Sequence, residues 1–138
     1  MTWDWRFGAR NELSEAIRLD PNMVEAHFTL GIVAWQDGDF EETAKQMRAA
    51  IAVRPAYTEA YYMLGTALKQ KGDSPGAIAA LREAIRLGSH DPGPYNTLGQ
   101  VLRSIGDVEG SKAAFADAAR IRKEKEAEQA KLLRSNNK

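Results

Sequence analysis

The residues of this chain that could carry catalytic or metal chemistry are few, and their spacing does not suit it. Cysteine is absent, and the only two histidines, His27 and His90, lie 63 positions apart. Thiolate chemistry is therefore excluded, and neither a metal pair nor a histidine-based catalytic set is expected. The stretch 88–91 reads Gly-Ser-His-Asp, but consecutive residues do not converge into a proton relay, and Asp91 is better suited to capping a helix.

The neighbouring carboxylates also favour a structural interpretation. Glu41-Glu42 and the Asp37/Asp39 pair fall at predicted helix ends, where they interact with the helix dipole and do not converge on one point. No strand is predicted, so no glycine-rich phosphate loop follows one. The sequence therefore predicts a protein that is not an enzyme, with no cofactor, no metal and no small-molecule substrate.

Composition and charge exclude further classes. The chain has 138 residues, 43% of them hydrophobic, and a formal net charge of zero. One domain is expected, without strong electrostatic steering toward nucleic acid or an acidic membrane. The N-terminus carries no apolar run of the signal-peptide type, and no stretch has the length of a membrane span. If Met1 is the native start, the expectation is a cytoplasmic protein for which nucleic acid is not the partner.

Two dipeptides recur every 34 residues and organise the chain. A glycine inside a helix costs roughly 1 kcal/mol relative to alanine, so a repeated Leu-Gly predicts close approach of a second helix. A repeated Gly-Asp predicts a left-handed helix end followed by an N-cap, and Asp39 with Glu42 has the pattern of a capping box. The pairs are Leu30-Gly31, Leu64-Gly65 and Leu98-Gly99, then Gly38-Asp39, Gly72-Asp73 and Gly106-Asp107.

The second helix of each unit carries an alanine and a larger apolar residue at positions that also recur every 34 residues. Alanine recurs at 16, 50, 84 and 118, and a larger apolar residue precedes each alanine by three positions, at Leu13, Met47, Leu81 and Phe115. Residues at this spacing share one helix face. Pro21 and Pro55 end the helix in two units, whereas Asp91-Pro92 in the last predicts a cap and a first helical residue.

With these motifs the chain resembles the tetratricopeptide repeat family. The resemblance implies an all-α fold, in which about seven helices form antiparallel helix-turn-helix repeats stacked into a right-handed α-solenoid. The first unit fits more loosely, with His27 in the aromatic slot and Thr43 in a slot for alanine. The middle unit matches at Tyr61, Leu64, Gly65, Leu68, Gly72, Asp73, Ala77, Leu81 and Ala84, and the third at Tyr95, Leu98, Gly99, Leu102, Gly106, Asp107, Phe115 and Ala118.

The predicted organisation is a half-repeat or N-terminal capping helix over 1–21, repeats over 22–55, 56–89 and 90–123, and a helical extension with a frayed basic tail over 124–138. Because the chain begins in mid-repeat, two alternatives stay open. Either it was cut from a longer array, and self-association through Trp3, Trp5 and Phe7 follows, or these aromatic residues fold over the open edge as a cap.

The last helix is predicted to overshoot its repeat, because neither proline nor glycine follows Ala119. From Arg120 onward seven basic residues stand against three acidic ones, a net charge of +4, and the end is expected to fray over 135–137. A solvated helix end is the simplest interpretation of this segment. Docking on an acidic partner, a short coiled coil and RNA contact are the alternatives.

The resemblance further implies that the first helices line a concave groove. The residues predicted to line this groove form a stripe that is apolar and aromatic in the first unit and amide and basic in the third. Apolar and aromatic residues are typical of pockets for a partner's side chains, and amide and basic residues of groups that bind a peptide backbone or a carboxylate. The alternative is that Phe28, Ile32 and Trp35 are covered by residues 1–7 or by a missing helix, and that Tyr62 and Met63 only pack between repeats. The predicted groove residues are Phe28, Ile32, Trp35, Tyr62, Met63, Thr66, Lys69, Asn96, Gln100 and Arg103.

Three hypotheses for function result. The first is a module that binds a peptide segment of a partner protein in the groove. The second is a self-assembling scaffold that oligomerises through the open N-terminal edge, and the third is an appendage of a larger enzyme or secretion system. An adaptor for chaperone tails is not expected, because the Lys, Asn and Arg positions that grip such tails in the family hold Phe28, Ile32, Met63, Gly93 and Thr97 here.

Overall fold

The computed structural model describes residues 5–137, apart from the side chain of Arg6. Within that range the chain forms seven helices and no strand, which confirms the predicted all-α class. None of these helices combines the length and hydrophobicity needed to cross a bilayer. The helices are α1 (Trp5–Leu19), α2 (Val24–Gln36), α3 (Phe40–Val53), α4 (Thr58–Gln70), α5 (Ser74–Arg86), α6 (Pro92–Ser104) and α7 (Val108–Asn136).

The recurring Gly-Asp dipeptides form the turns between paired helices. Gly72 has a left-handed φ of 81°, and the Asp73 carboxylate accepts a hydrogen bond of 3.0 Å from the Gly76 N–H at the start of α5. The equivalent turns before α3 and α7 are built the same way. Such tight connections make each pair an antiparallel hairpin, with α2, α4 and α6 as first helices and α3, α5 and α7 as second helices.

The predicted capping box before α3 is only half formed. The Asp39 carboxylate accepts from the Glu42 N–H at 3.2 Å, as expected. The Glu42 carboxylate accepts instead from Gln46 Nε2 at 2.9 Å, while the Asp39 N–H donates to the Ala34 carbonyl. The preceding turn has already satisfied the Asp39 N–H, so Glu42 is left to bond one turn further along its own helix.

The Leu-Gly dipeptides allow the paired helices to approach closely. A Cβ on Gly31 would lie 2.6 Å from Met47 Cε, and one on Gly65 would lie 2.6 Å from Leu81 Cγ. Met47 and Leu81 are fully buried, so the larger side chain of each second helix occupies the space that its glycine leaves open. The glycine is therefore part of the packing between the two helices.

Two polar side chains that occupy packing slots of the first repeat, Thr43 and His27, have hydrogen-bond partners within the chain. Thr43, in the slot predicted for alanine, donates from Oγ1 to the Gly31 carbonyl at 3.1 Å and so joins α3 to α2. His27 is buried in the aromatic slot, and its two ring nitrogens lie 2.7 Å from the Gln46 Oε1 and the Pro21 carbonyl oxygen. His27 thus has the structural role expected of a residue in a packing slot.

α1 aligns in sequence with the second helices of the repeats, 34 positions before α3. Ala9, Leu13 and Ala16 are only half-buried, although the residues 34 positions later in α3 are fully buried beneath a first helix. Arg10 joins this helix to the next turn through ion pairs of 3.2 Å with Asp37 and Asp39. α1 therefore packs on α2 but leaves its other face open.

α7 runs without interruption from Val108 to Asn136. Ile121 is its last buried residue, and every residue over 122–137 is exposed. The helix includes Ser135 and Asn136, where the sequence led us to expect fraying. The result is a charged helical rod that projects beyond the repeats, here called the α7 extension (residues 122–136).

A candidate groove on the first helices

The predicted groove residues lie on α2, α4 and α6, the three first helices. Gln100 and Arg103 are exposed, and the other eight are half-buried. Phe28, Ile32, Trp35, Tyr62 and Met63 each rest one side against the hydrophobic core. The apolar part of the stripe is therefore held in place from beneath while still offering surface to solvent.

Phe28 is fixed at the junction between the first two repeats. Its ring stacks on Tyr57, which precedes α4, with centroids 5.0 Å apart and an interplanar angle of 22°. The Arg54 guanidinium lies 4.8 Å above the other ring, and Arg54 also forms a 3.1 Å ion pair with Glu25. This row of contacts orders the aromatic wall at the α2 end of the stripe.

The same contacts shift two pKa values. A hydrogen bond from its own backbone N–H and then the bond from Arg54 lower the pKa of Glu25 below its usual value. Desolvation by burial raises the pKa of the Tyr57 phenol, so this residue stays neutral at physiological pH. The wall therefore presents a neutral aromatic surface beside one balanced charge pair.

Trp35 and Arg103 occupy equivalent positions near the ends of α2 and α6, and both turn toward their second helices. Trp35 packs edge-on against Phe40 at the start of α3, with centroids 5.0 Å apart. Arg103 places its guanidinium 5.6 Å from the centre of the Phe115 ring on α7. Both side chains therefore lie at the seam between paired helices, and the cation–π contact competes with the predicted pairing of Arg103 to a partner's carboxylate.

Lys69 and Gln100 are brought together by the structure. The Lys69 ammonium donates to Gln100 Oε1 at 2.5 Å and joins α4 to α6. The Thr66 hydroxyl donates to the Tyr62 and Met63 carbonyl oxygens within its own helix, so it is already satisfied. The polar end of the stripe therefore has Asn96 and the Lys69–Gln100 pair as its available hydrogen-bonding groups.

A cavity of about 280 Å³ lies beside Tyr62, and no pattern in the sequence indicated it. The ring of Tyr62 sits against the start of α6, where a Cβ on Gly93 would come within 2.6 Å of its hydroxyl oxygen. The wall opposite is partly formed by Lys125 of the α7 extension. The full lining is Thr58, Glu59, Tyr62, Gly88, Ser89, His90, Asp91, Pro94 and Lys125.

The Ser-His-Asp stretch inside this lining is used for local structure. Asp91 accepts from the Gly93 N–H at 2.9 Å and caps α6, and its own N–H donates to Ser89 Oγ. Across residues 5–137, no three His, Asp or Glu side chains are grouped so that they could hold a metal ion. The lining therefore offers mixed polar groups for binding.

Comparison with protein families gives one consistent result. A family model described as tetratricopeptide repeat matches residues 8–46 and 28–92, and a second with the same description matches residues 93–125. No curated protein matches this sequence. The matched segments include all of the predicted groove residues.

Solved structures of MamA share this fold. A crystal structure of MamA is 25% identical with a TM-score of 0.78, over 88% of this chain and 76% of that one. MamA from Desulfovibrio magneticus RS-1, beginning at its residue 41, is 21% identical with a TM-score of 0.80, over 86% and 67% of the two chains. A double mutant of MamA RS-1 is also 21% identical, with a TM-score of 0.82 over 87% and 67%.

Proposed function

Because this chain belongs to the tetratricopeptide repeat family, whose repeats form non-enzymatic scaffolds for protein–protein interaction, we propose that its first helices bind a peptide segment of a partner protein in a concave groove. On this proposal the protein is not catalytic. The partner segment lies along the stripe that runs from Phe28 on α2 to Asn96 on α6.

The observation that carries the proposal is the row of half-buried apolar side chains on α2 and α4. Phe28, Ile32, Tyr62 and Met63 rest on the core and keep one side open. Side chains that are ordered before binding lose little conformational entropy when a partner covers them. Aromatic residues held in this way are typical of the few positions that dominate the energy of an interface.

The side chains along the stripe indicate which kind of peptide would fit. Apolar or aromatic side chains of the peptide fit between Phe28 and Met63, and the cavity beside Tyr62 accepts one further side chain. Asn96 and the Lys69–Gln100 pair can hydrogen-bond the peptide backbone or an acidic group at the other end. A single groove of three repeats supports affinity of roughly micromolar order.

The test is to select peptides from a displayed library on the full chain and measure their affinity for variants. We expect Phe28→Ala and Tyr62→Ala to weaken binding about tenfold or more, because each removes an aromatic anchor. Ile105→Ala is the matched control, since Ile105 is 53% exposed and lies outside the stripe. Groove variants that keep their folding and bind as tightly as Ile105→Ala would contradict the proposal.

The exposed aromatic residues of α1 favour a second candidate function, self-assembly through the N-terminal edge. Trp5 and Phe7 are 54% and 70% exposed, beside the open face that carries the half-buried Leu13. Trp3 lies outside the described residues. Deleting residues 1–7 should then lower the associated fraction in solution while leaving peptide capture unchanged. An unchanged mass distribution would count against this edge.

A further inference from the structure

A further cavity, of about 290 Å³, lies between the second helices α5 and α7, where both pack on α6. Its residues on α6 are Tyr95, Leu98 and Leu102, which share one face of that helix at spacings of three and four. The groove residues Asn96 and Gln100 follow Tyr95 by one and five positions, so they lie on a different face. This cavity, here called the α5–α7 pocket, is therefore a surface separate from the groove.

The floor of the α5–α7 pocket is apolar and held in place by the core. Leu98, Leu102 and Ala114 are buried, and the half-buried Ile85 packs against the core from α5. The wall on α7 includes the small, exposed side chain of Ala113, which leaves room above the floor. The pocket can therefore accept one large apolar side chain of another molecule without a rearrangement of its own residues.

The rim of the pocket carries a cation that its own chain leaves without a partner. Arg82 on α5 is exposed and forms no ion pair with another residue in the described part of the chain. No acidic residue stands three or four positions from it on α5, where such a pair would form. On the opposite rim, Asp117 lies 3.7 Å from Arg120, so its charge is already balanced. The rim therefore attracts a carboxylate beside the apolar floor.

We propose that the α5–α7 pocket binds a segment of a partner protein in which a leucine-sized apolar side chain stands next to an acidic residue. The apolar side chain fills the cavity over Leu98 and Leu102, and the carboxylate pairs with Arg82 at the rim. This goes beyond the binding of a peptide in the groove, because it gives the chain a second docking surface built from other residues. Two partner segments can then be held at once.

The first test is an NMR titration of the full chain at low salt with N-acetyl-Leu-Glu amide, a probe that carries both groups. We expect the largest amide shifts around Leu102 and Ala113, with a dissociation constant on the order of millimolar, because one side chain and one exposed ion pair form a weak contact. N-acetyl-Leu-Lys amide and N-acetyl-Ala-Glu amide are the matched controls. Equal binding of the three probes, no shifts at the pocket, or largest shifts around Tyr62 in the groove would overturn the proposal.

Two variants test the cavity and the charge separately. Ala113→Phe should abolish the shifts, because the added ring occupies the cavity, whereas Ala116→Phe should not. Both alanines are exposed on α7, but only Ala113 lines the pocket. Arg82→Glu should weaken binding of the glutamate probe about fivefold or more and make the lysine probe the tighter ligand, because attraction is replaced by repulsion. Unchanged binding to Ala113→Phe, or a lysine probe that stays the weaker ligand of Arg82→Glu, would overturn the proposal.

A second copy of this chain is the competing occupant, and the same spectra detect it. If the pocket amides of the chain alone shift as its concentration rises from about 50 µM to about 1 mM, a second copy fills the pocket. Loss of that change in Ala113→Phe but not in Ala116→Phe would place the contact at the pocket and overturn the assignment to a partner protein. Pocket amides that do not change with concentration support it.

Discussion

At the scale of single residues, the most constrained positions are the glycines that face a second helix. Gly65 lies against the branched Leu81 Cγ, which cannot move without shifting the whole side chain, whereas Gly31 lies against the terminal Cε of Met47. Methionine has three rotatable bonds and adapts to nearby volume more readily than leucine. The two equivalent positions therefore differ in how well they tolerate a larger residue.

We expect Gly65→Ala to destabilise the fold by about 1–3 kcal/mol, because the added methyl overpacks the contact with Leu81. Gly31→Ala should cost less, since Met47 can turn away and alanine gains roughly 1 kcal/mol of helix propensity over glycine. The free energy of unfolding in urea, measured for both variants, checks the difference. Equal costs, or a larger cost at Gly31, would contradict this account of helix approach.

At the scale of helices, the junction between α3 and α4 combines packing with charge. The ion pair between Glu25 on α2 and Arg54 after α3 closes the end of the first repeat beneath the stacked Phe28 and Tyr57 rings. The pKa of Glu25 is lowered in the folded chain. The stabilising effect of this carboxylate is therefore fully present above its unfolded pKa and is lost as the pH falls through the lower, folded value.

Glu25→Gln should consequently lower the melting temperature slightly at about pH 7, and the difference from wild type should vanish once the pH has fallen below the lowered pKa of Glu25. The effect is small because both groups are exposed to solvent. Glu59→Gln, at the equivalent position of the next repeat and without an ion pair among the described residues, is the control. A difference at Glu25 that persists unchanged at low pH would show that the ion pair is not its cause.

The helices themselves could be predicted from the sequence because their signals are local. The Gly-Asp turns and the proline positions are read from neighbouring residues, and in the structure the paired helices of each repeat are divided at these Gly-Asp turns. The side-chain partners of the candidate groove were not predictable in the same way. That Arg103 turns to Phe115, and that Lys125 reaches the cavity beside Tyr62, depend on rotamers and on the path of α7 beyond the repeats.

At the scale of the whole molecule, charge is divided along the chain. Residues 1–119 carry 12 basic and 16 acidic side chains, a net charge of −4, and the remaining residues carry +4. The excess of positive charge thus lies on the exposed α7 extension, away from the apolar end of the stripe on α2. The apolar end of the stripe and the α7 extension are therefore surfaces of different chemistry.

The proposed binding of a peptide on the first helices is tested most directly by NMR. The measurement is the change in backbone amide shifts of the full chain on titration with a selected peptide. We expect the largest changes around Phe28, Tyr62 and Asn96, on α2, α4 and α6, with small changes along α3 and α5. Largest changes on α1 or on the α7 extension, with the first helices unaffected, would contradict the account.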